Sequence, residues 1–468
     1  MFRITFIFLL STFFLSSLFS QQFHFQRRIN PFPVNKQDGT PYEFPFLGGL
    51  NRPMQQLVDI DGNNTPDLFI QDRAAQLMYL KNIGTPSTFQ FQWITDQFED
   101  LPVGEWFKFA DVDNDQDMDL FAESPFGIIR YYRNVGSPTN PNFVLGVDTL
   151  RDDTGSPIVV DALSVPDWAD IDCDGELELF LGRLTGQITL YDFTGFDSHN
   201  LPLYHFVTDT FQGLVIITGG GKANPADNPP EAGNKLHGAN SLTFVDIDND
   251  SDNDIFWGDF FAQSLIFLQN SGSCSTPNID ITMEQFPPGS PIQTGGYNVP
   301  RFADIDADGD FDMFVGVLGG SISNVTNQID NFYYYENIGS PSQYQFVLRN
   351  TQFLNILDIG KNINPALVDI DNDGDLDMFL ANEVDLNSPG RSNSRLYFFE
   401  NQGSAQNPDF QLVNSHYLNY DKPNFDANYA PVFVDIDADG DQDLILGKWS
   451  GKLTFWRNDG SATTPNFV

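Results

Sequence analysis

Aspartates fall at alternate positions in one phrase that returns seven times along the chain. It reads LVDIDGNNTPDLFI from Leu57, FADVDNDQDMDLFA from Phe109, WADIDCDGELELFL from Trp168 and FVDIDNDSDNDIFW from Phe244. It recurs as FADIDADGDFDMFV from Phe302, LVDIDNDGDLDMFL from Leu367 and FVDIDADGDQDLIL from Phe433. Counting from the first Asp, oxygen-bearing side chains occupy positions 1, 3, 5, 7 and 9. The first loop offers Asp59, Asp61, Asn63, Thr65 and Asp67, and the second Asp111, Asp113, Asp115, Asp117 and Asp119. The third offers Asp170, Asp172, Asp174, Glu176 and Glu178, and the fourth Asp246, Asp248, Asp250, Asp252 and Asp254. The fifth has Asp304, Asp306, Asp308, Asp310 and Asp312, the sixth Asp369, Asp371, Asp373, Asp375 and Asp377, and the seventh Asp435, Asp437, Asp439, Asp441 and Asp443.

These positions hold 33 of the chain's 64 acidic residues, a concentration that would force each loop open unless a cation offset it. Hard oxygen donors in that number on a tight turn suit Ca²⁺, with up to seven ions expected. An EF-hand is excluded, because position 12 is Ile70, Ala122, Leu181, Trp257, Val315, Leu380 or Leu446, none of them a ligand, and strands rather than helices flank the loop. The carboxylate at position 9 must close the site instead. Position 6 demands a residue tolerant of positive φ. Gly175, Gly309, Gly374 and Gly440 meet that demand and Asn64 approximates it, whereas Gln116 and Ser251 meet it poorly, so weaker binding is expected at the second and fourth loops. Affinities on the order of 10⁻⁴ to 10⁻³ M, those of extracellular modules, are expected.

The elements that position these loops are short strands. A second phrase follows each acidic one: YLKNIGTPSTFQF from Tyr79, YYRNVGSPTNPNF from Tyr131, FLQNSGSCSTPNI from Phe267 and YYENIGSPSQYQF from Tyr334. It returns as FFENQGSAQNPDF from Phe398 and FWRNDGSATTPNF from Phe455, and is blurred only at Leu190. Asn, Gly, Ser and Pro between two aromatic runs mark a strand-turn-strand unit. Each repeat therefore reads as four strands, and no helical stripe appears. Four-stranded units of this period must pack face to face around an axis, so the fold class is all-β, a seven-bladed β-propeller with one calcium loop per blade; an open solenoid is the competing architecture. The propeller is placed at 51–468, with 21–50 as an N-terminal segment. Either that segment closes the last blade through Phe23–Gln26, which is favoured, or the chain is a truncated copy of something longer.

The D-x-D-x-D-G-x-x-D loop between strands resembles the FG-GAP or VCBS-type repeat of integrin α-subunit propellers and many exported bacterial proteins. The resemblance implies side-chain ligands at positions 1, 3, 5 and 9 and a backbone carbonyl at position 7, which fits Thr65 in the first loop. The Phe-Gly and Gly-Ala-Pro phrases are not recognisable, and no integrin-like leg domains follow, so integrin-style ligand recognition is not implied.

Residues 1–20, with Arg3 ahead of an apolar run too short to span a bilayer, read as an export signal, which places the protein outside the cell or on its surface. The net charge of -41 argues against nucleic acid as a partner. A bridge between Cys173 and Cys274 is not expected. The five histidines (24, 199, 205, 237 and 416) are scattered, and neither H-E-x-x-H nor G-x-S-x-G occurs, so no enzyme is expected. The Gly219–Lys222 run lacks P-loop spacing and reads as a surface loop. Arg73, Arg183, Phe260, Phe261, Arg391, Lys448 and Trp449 are placed at the end opposite the acidic loops, where they can meet a ligand. The resulting expectation is a monomeric carbohydrate-binding or adhesion module with a glycan or protein ligand. A calcium-dependent polysaccharide lyase or glycoside hydrolase, or a purely structural surface module, is the alternative.

Overall fold

The computed structural model describes residues 26–72, 75–216, 238–321, 329–385, 393–419 and 426–468. The export signal, the Phe23–Phe25 part of the suggested closing strand, the Gly219–Lys222 run, Arg73 and Arg391 lie outside them. Seven sheets are formed among the described residues, one for each acidic phrase, and there is no α-helix. The first sheet runs Met54–Val58, Asp67–Gln71, Met78–Asn82 and Phe91–Thr95, each strand antiparallel to the one before. The second to fifth sheets repeat this order from inner strands Phe107–Ala110, Asp167–Ala169, Asn240–Val245 and Asn298–Ala303. In every sheet the acidic loop joins the inner strand to the second strand, and position 9 is that second strand's first residue.

The ring these sheets form differs from the expected one, because it closes after the fifth. The inner strand Asn298–Ala303 lies against Met54–Val58 of the first sheet just as it lies against the fourth. Gln55 Nε2 donates to Val299 O at 2.9 Å and Phe314 O at 3.0 Å across that junction. The two backbones approach so closely that a Cβ on Gly316 would sit 1.9 Å from Pro53 O. One apolar cluster joins Leu68, Ile70 and Leu80 of the first sheet to Phe314, Phe332 and Tyr334 of the fifth.

The physical reason lies three residues before each loop. There the five ring sheets carry Gln56, Lys108, Asp167, Thr243 and Arg301. Gln56 bonds both ways with the backbone of Phe109, Lys108 pairs with Asp167, and Asp167 accepts from Phe244 N at 2.9 Å. Thr243 donates to Pro300 O at 2.7 Å, and Arg301 reaches back to Leu242 O. Each polar side chain thus stitches one inner strand to a neighbouring one. The sixth and seventh sheets carry Ala366 and Val432 at this position, which cannot do so.

Those two sheets stand beside the ring and pack on each other through Phe379, Leu396, Leu444 and Leu446. The sixth contains Asn364–Val368, Asp377–Ala381, Leu396–Asn401 and Phe410–Asn414; the seventh contains Ala430–Val434, Asp443–Gly447 and Leu453–Trp456. Among the described residues, the N-terminal segment adds no strand to the seventh sheet. Its strand Val34–Asn35 instead runs parallel to Phe410–Asn414 as a fifth strand of the sixth. Phe44, Leu47 and Leu50 enter the cluster between the first and fifth sheets, while Val34, Phe32, Tyr42 and Phe46 cover the sixth. This segment therefore wedges between ring and sheet pair, which its alternating aromatics permit.

Cys173 and Cys274 are bonded, contrary to expectation, with their Cα atoms 5.5 Å apart. The bridge ties the third acidic loop to the Asn-x-Gly turn of the fourth sheet. Sequence separation hid the contact, since only the packing of adjacent sheets makes it.

Candidate metal centre

Each acidic loop folds around its own first carboxylate. In the second loop Asp111 accepts from Asp115 N at 3.2 Å and Gln116 N at 3.0 Å, and in the sixth Asp369 accepts from Asp373 N and Gly374 N, both at 3.1 Å. The carboxylate or amide at position 5 then accepts the N–H of position 7, as in Asp310 to Asp308 at 3.1 Å. These bonds turn the chain so sharply that position 6 adopts positive φ in all seven loops, Gln116 at 73° and Ser251 at 74° included. Position 4 does the same, through Gly62, Asn114, Cys173, Asn249, Ala307, Asn372 and Ala438. This second left-handed position was readable from the Gly and Asn residues at four of the seven loops, but the loops with Cys and Ala obscured it.

The turn brings carboxylates together. Ligand atoms of Asp59, Asp61 and Asp67 lie within 4.8 Å of one another, as do those of Asp170, Asp172 and Glu178. The same holds for Asp111, Asp113 and Asp115, for Asp246, Asp248 and Asp250, and for Asp304, Asp306 and Asp308. Two unit charges at such a distance repel by about 0.9 kcal/mol at water's dielectric and about four times that near a protein surface. Position 5 joins the cluster in some loops and position 9 in others.

The position 9 carboxylates are buried, and their surroundings were only partly foreseen. Asp67, Asp119, Asp254, Asp312, Asp377 and Asp443 each accept the backbone N–H of the Asn in the following turn, at 2.7 to 2.8 Å. That Asn closes its turn with its own Oδ1, as Asn134 does toward Gly136 N and Asn142 N. The recurrence of Asn-x-Gly at a near-constant distance was the available signal. Tyr131 donates to the free oxygen of Asp119 at 2.8 Å. Burial, reinforced by nearby carboxylates, pushes Asp119 up to about 7 and Asp254, Asp312 and Glu178 up to about 8.

Position 7 also turns its side chain into the loop. The side chains of Asp117, Asp252, Asp310, Asp375 and Asp441 are buried, and each leaves Oδ1 without a partner. Further partnerless buried oxygens are Asp61, Asp248, Asp304, Asp371 and Asp435 Oδ1, Glu178 Oε1 and Asp254 Oδ2. All seven loops thus contain at least one such atom. An anion buried without a donor is costly, and the fourth to seventh loops hold two or more such oxygens each.

One residue that sequence reasoning missed separates the loops. The side chain just before the turn Asn lies beside position 3. Lys81 pairs with Asp61, Arg133 with Asp113 at 3.4 Å, and Gln269 with Asp248 at 3.1 Å. In the fifth and sixth sheets it is Glu336 or Glu400, whose charges act on Asp306 and Asp371, and the equivalent residue of the third sheet, Asp192, is pushed up by burial and by the charge of Asp172.

The residues assigned to ligand contact do not gather. Arg183 is committed to Asp161 at 3.2 Å and to Val159 O, and Phe260 packs into the ring's central cluster. Lys448 lies over Tyr429. Phe261 and Trp449 remain exposed, the latter on the seventh sheet, outside the ring. Tyr333, Tyr334, Tyr335, Phe398 and Phe399 pack between sheets.

Residues 369–446 match the family model of an FG-GAP-like repeat. A search of curated proteins gives no match. Among solved structures, an Agrocybe aegerita lectin with specific recognition of non-reducing terminal N-acetylglucosamine is 16% identical over 78% of this chain and 81% of its own, at a TM-score of 0.31. A mutant of AofleA from Arthrobotrys oligospora is 13% identical over 80% and 89%, at a TM-score of 0.35. The NanB sialidase of Streptococcus pneumoniae is 11% identical over 87% and 68%, at 0.19.

Proposed function

We propose that this FG-GAP-like repeat protein is an exported, calcium-loaded propeller module that binds a carbohydrate or protein ligand and is not a catalyst. The observation carrying the calcium reading is the set of buried carboxylate oxygens without a donor, at least one in each of seven loops that share one backbone frame. Among the described residues the clustered groups that could hold an ion are carboxylates, and Cys173 is spent in a disulfide, which favours a hard cation. Four or more carboxylate and carbonyl oxygens on a flexible turn suit calcium better than magnesium, which demands a near-ideal octahedron and keeps its water. The ligands would be positions 1, 3, 5 and 9, with the position 7 side chains as additional donors.

Calcium here would act on structure: it offsets repulsion at the end of each sheet and fixes the turn that starts the second strand. Export is supported by the Arg3-led apolar run of residues 1–20 and by the Cys173–Cys274 bridge, a bond that persists in oxidising compartments. The exposed rings of Phe261 and Trp449 are the surface groups best suited to stacking on a sugar or gripping a protein. A calorimetric calcium titration should give multiple sites near millimolar affinity, and no heat at all would end the calcium reading. A glycan array run with and without chelator tests the ligand class: retained, calcium-dependent glycans support the binder, and cleaved products would replace it with a carbohydrate-active enzyme.

A further inference from the structure

The seven sheets provide an internal control for what each face must meet. Five positions on one face recur in every repeat: the residues flanking the first loop Asp, the second residue after position 9, the first aromatic of the YxxN-type phrase, and the residue two before it. In the first sheet these are Val58, Ile60, Phe69, Tyr79 and Leu77, all buried against the second sheet. The pattern holds from the second sheet to the third, and so on to the fifth, which covers the same positions with the first. The sixth covers them with the seventh. The side chain two before the aromatic is the sharpest marker. Leu77, Ile129, Ile188, Leu265, Phe332 and Leu396 are at most 2% exposed, whereas Leu453 of the seventh sheet is 77% exposed. Around it Val432, Val434, Ile436 and Phe455 are 55%, 39%, 51% and 49% exposed, and Ile445 is half-buried. A contiguous apolar face of this kind marks an interface.

We propose that this open face of the seventh sheet is the interface between two copies of the chain, related by a two-fold axis that sets the sheets face to face with strands antiparallel. In the other six sheets the occupant is the rear of a following sheet, but a second copy has no complete rear face to offer. Those of the ring are buried within it, and that of the sixth sheet is largely covered by Phe32, Val34, Tyr42 and Phe46. Its own seventh sheet presents the matching apolar surface, and a two-fold makes that surface self-complementary. Charge fixes the antiparallel sense. One end of the sheet carries the Asp435–Asp443 loop, and the other carries Lys448 and Lys452 on the turn into Leu453. Antiparallel stacking sets each lysine turn against the partner's acidic loop; parallel stacking would oppose two acidic loops. A monomer was the expectation from sequence, and the ring of five leaves this face of the seventh sheet without a following sheet. Calcium need not be present for the inference to hold.

Sedimentation equilibrium of the full chain at tens of micromolar, in calcium and moderate salt, tests this. A dimer is expected. The exposed substitutions Leu453→Asp and Phe455→Asp should each weaken it by about ten-fold or more, as a buried interface anchor does. Lys452→Glu should weaken it without touching the apolar face. Because the native cysteines are bonded to each other, Ile445→Cys at the centre of the face should cross-link to its own copy under mild oxidation, which keeps the test open if an Asp variant misfolds. A wild-type monomer under these conditions, including one that instead captures a separately made sheet of the same repeat, overturns the proposal. So does a dimer indifferent to all four substitutions.

Discussion

Replacing Lys81 by Gln should tighten calcium at the first loop and leave the other six unmoved. The Lys81 ammonium is ion-paired with Asp61 at position 3, and its side chain is 39% exposed. An ammonium about 5 Å from a divalent ion opposes it by about 1.7 kcal/mol at water's dielectric. Exposure and about 0.15 M salt screen part of this, leaving about 1 kcal/mol, roughly a five-fold gain in affinity. Removing a favourable charge of the same size, as Glu400→Gln does beside Asp371, should weaken the sixth loop by a similar factor. Seven overlapping sites make a bulk titration uninformative, so the assay is hydrogen exchange of peptides spanning each loop, followed against free calcium. The midpoint for the peptide around Asp59–Asp67 should move to lower calcium in Lys81→Gln. A midpoint that stays put, or moves upward, would show that the residue before the turn Asn does not tune the site and that Asp61 is not a ligand.

Gln116→Gly and Ser251→Gly should each stabilise the calcium-saturated protein by up to about 1 kcal/mol, seen as a higher melting temperature, because both native residues hold positive φ that only glycine adopts without cost. Reducing the Cys173–Cys274 bridge should cost about 2–4 kcal/mol in denaturant unfolding, since it closes a span of 101 residues. The pH response should change sign with metal. Without calcium the folded chain holds protons on Asp254 and Asp312, raised to about 8, that the unfolded chain has already released. Its stability should therefore be greatest near pH 4 and fall as pH rises to about 8. In saturating calcium the same protons compete with metal, so stability should fall as the pH is lowered. Melts across pH with and without chelator would reveal one common trend if these groups are not ligands.

The all-β class, the four-stranded unit and the acidic loops were legible because each is local: short apolar runs without a helical stripe, a turn composition and a spacing within ten residues. Seven repeats did not mean seven members of one ring, since closure depends on which inner strands meet. The deciding residues were in plain view, however. Gln56, Lys108, Asp167, Thr243 and Arg301 are polar where Ala366 and Val432 are not, and each binds its inner strand to a neighbouring one, Arg301 backward to the fourth sheet while Gln55 spans the closing junction. The acidic positions of each loop, and the return of the phrase down to position 9, were readable. The burial of position 7 and the influence of Lys81 and Glu400 were not, because they arise where the third strand passes the loop. The disulfide and the committed roles of Arg183 and Phe260 likewise depend on contacts between sheets that no spacing encodes.

Differential scanning calorimetry in excess chelator and in 10 mM calcium tests calcium bracing most directly. With sites of about 1 mM, each filled loop adds about 1.4 kcal/mol, and seven together should raise the melting temperature by about 10 °C or more. Coincident melting curves in the two buffers would contradict the account, for the clustered carboxylates would then be tolerated without an ion.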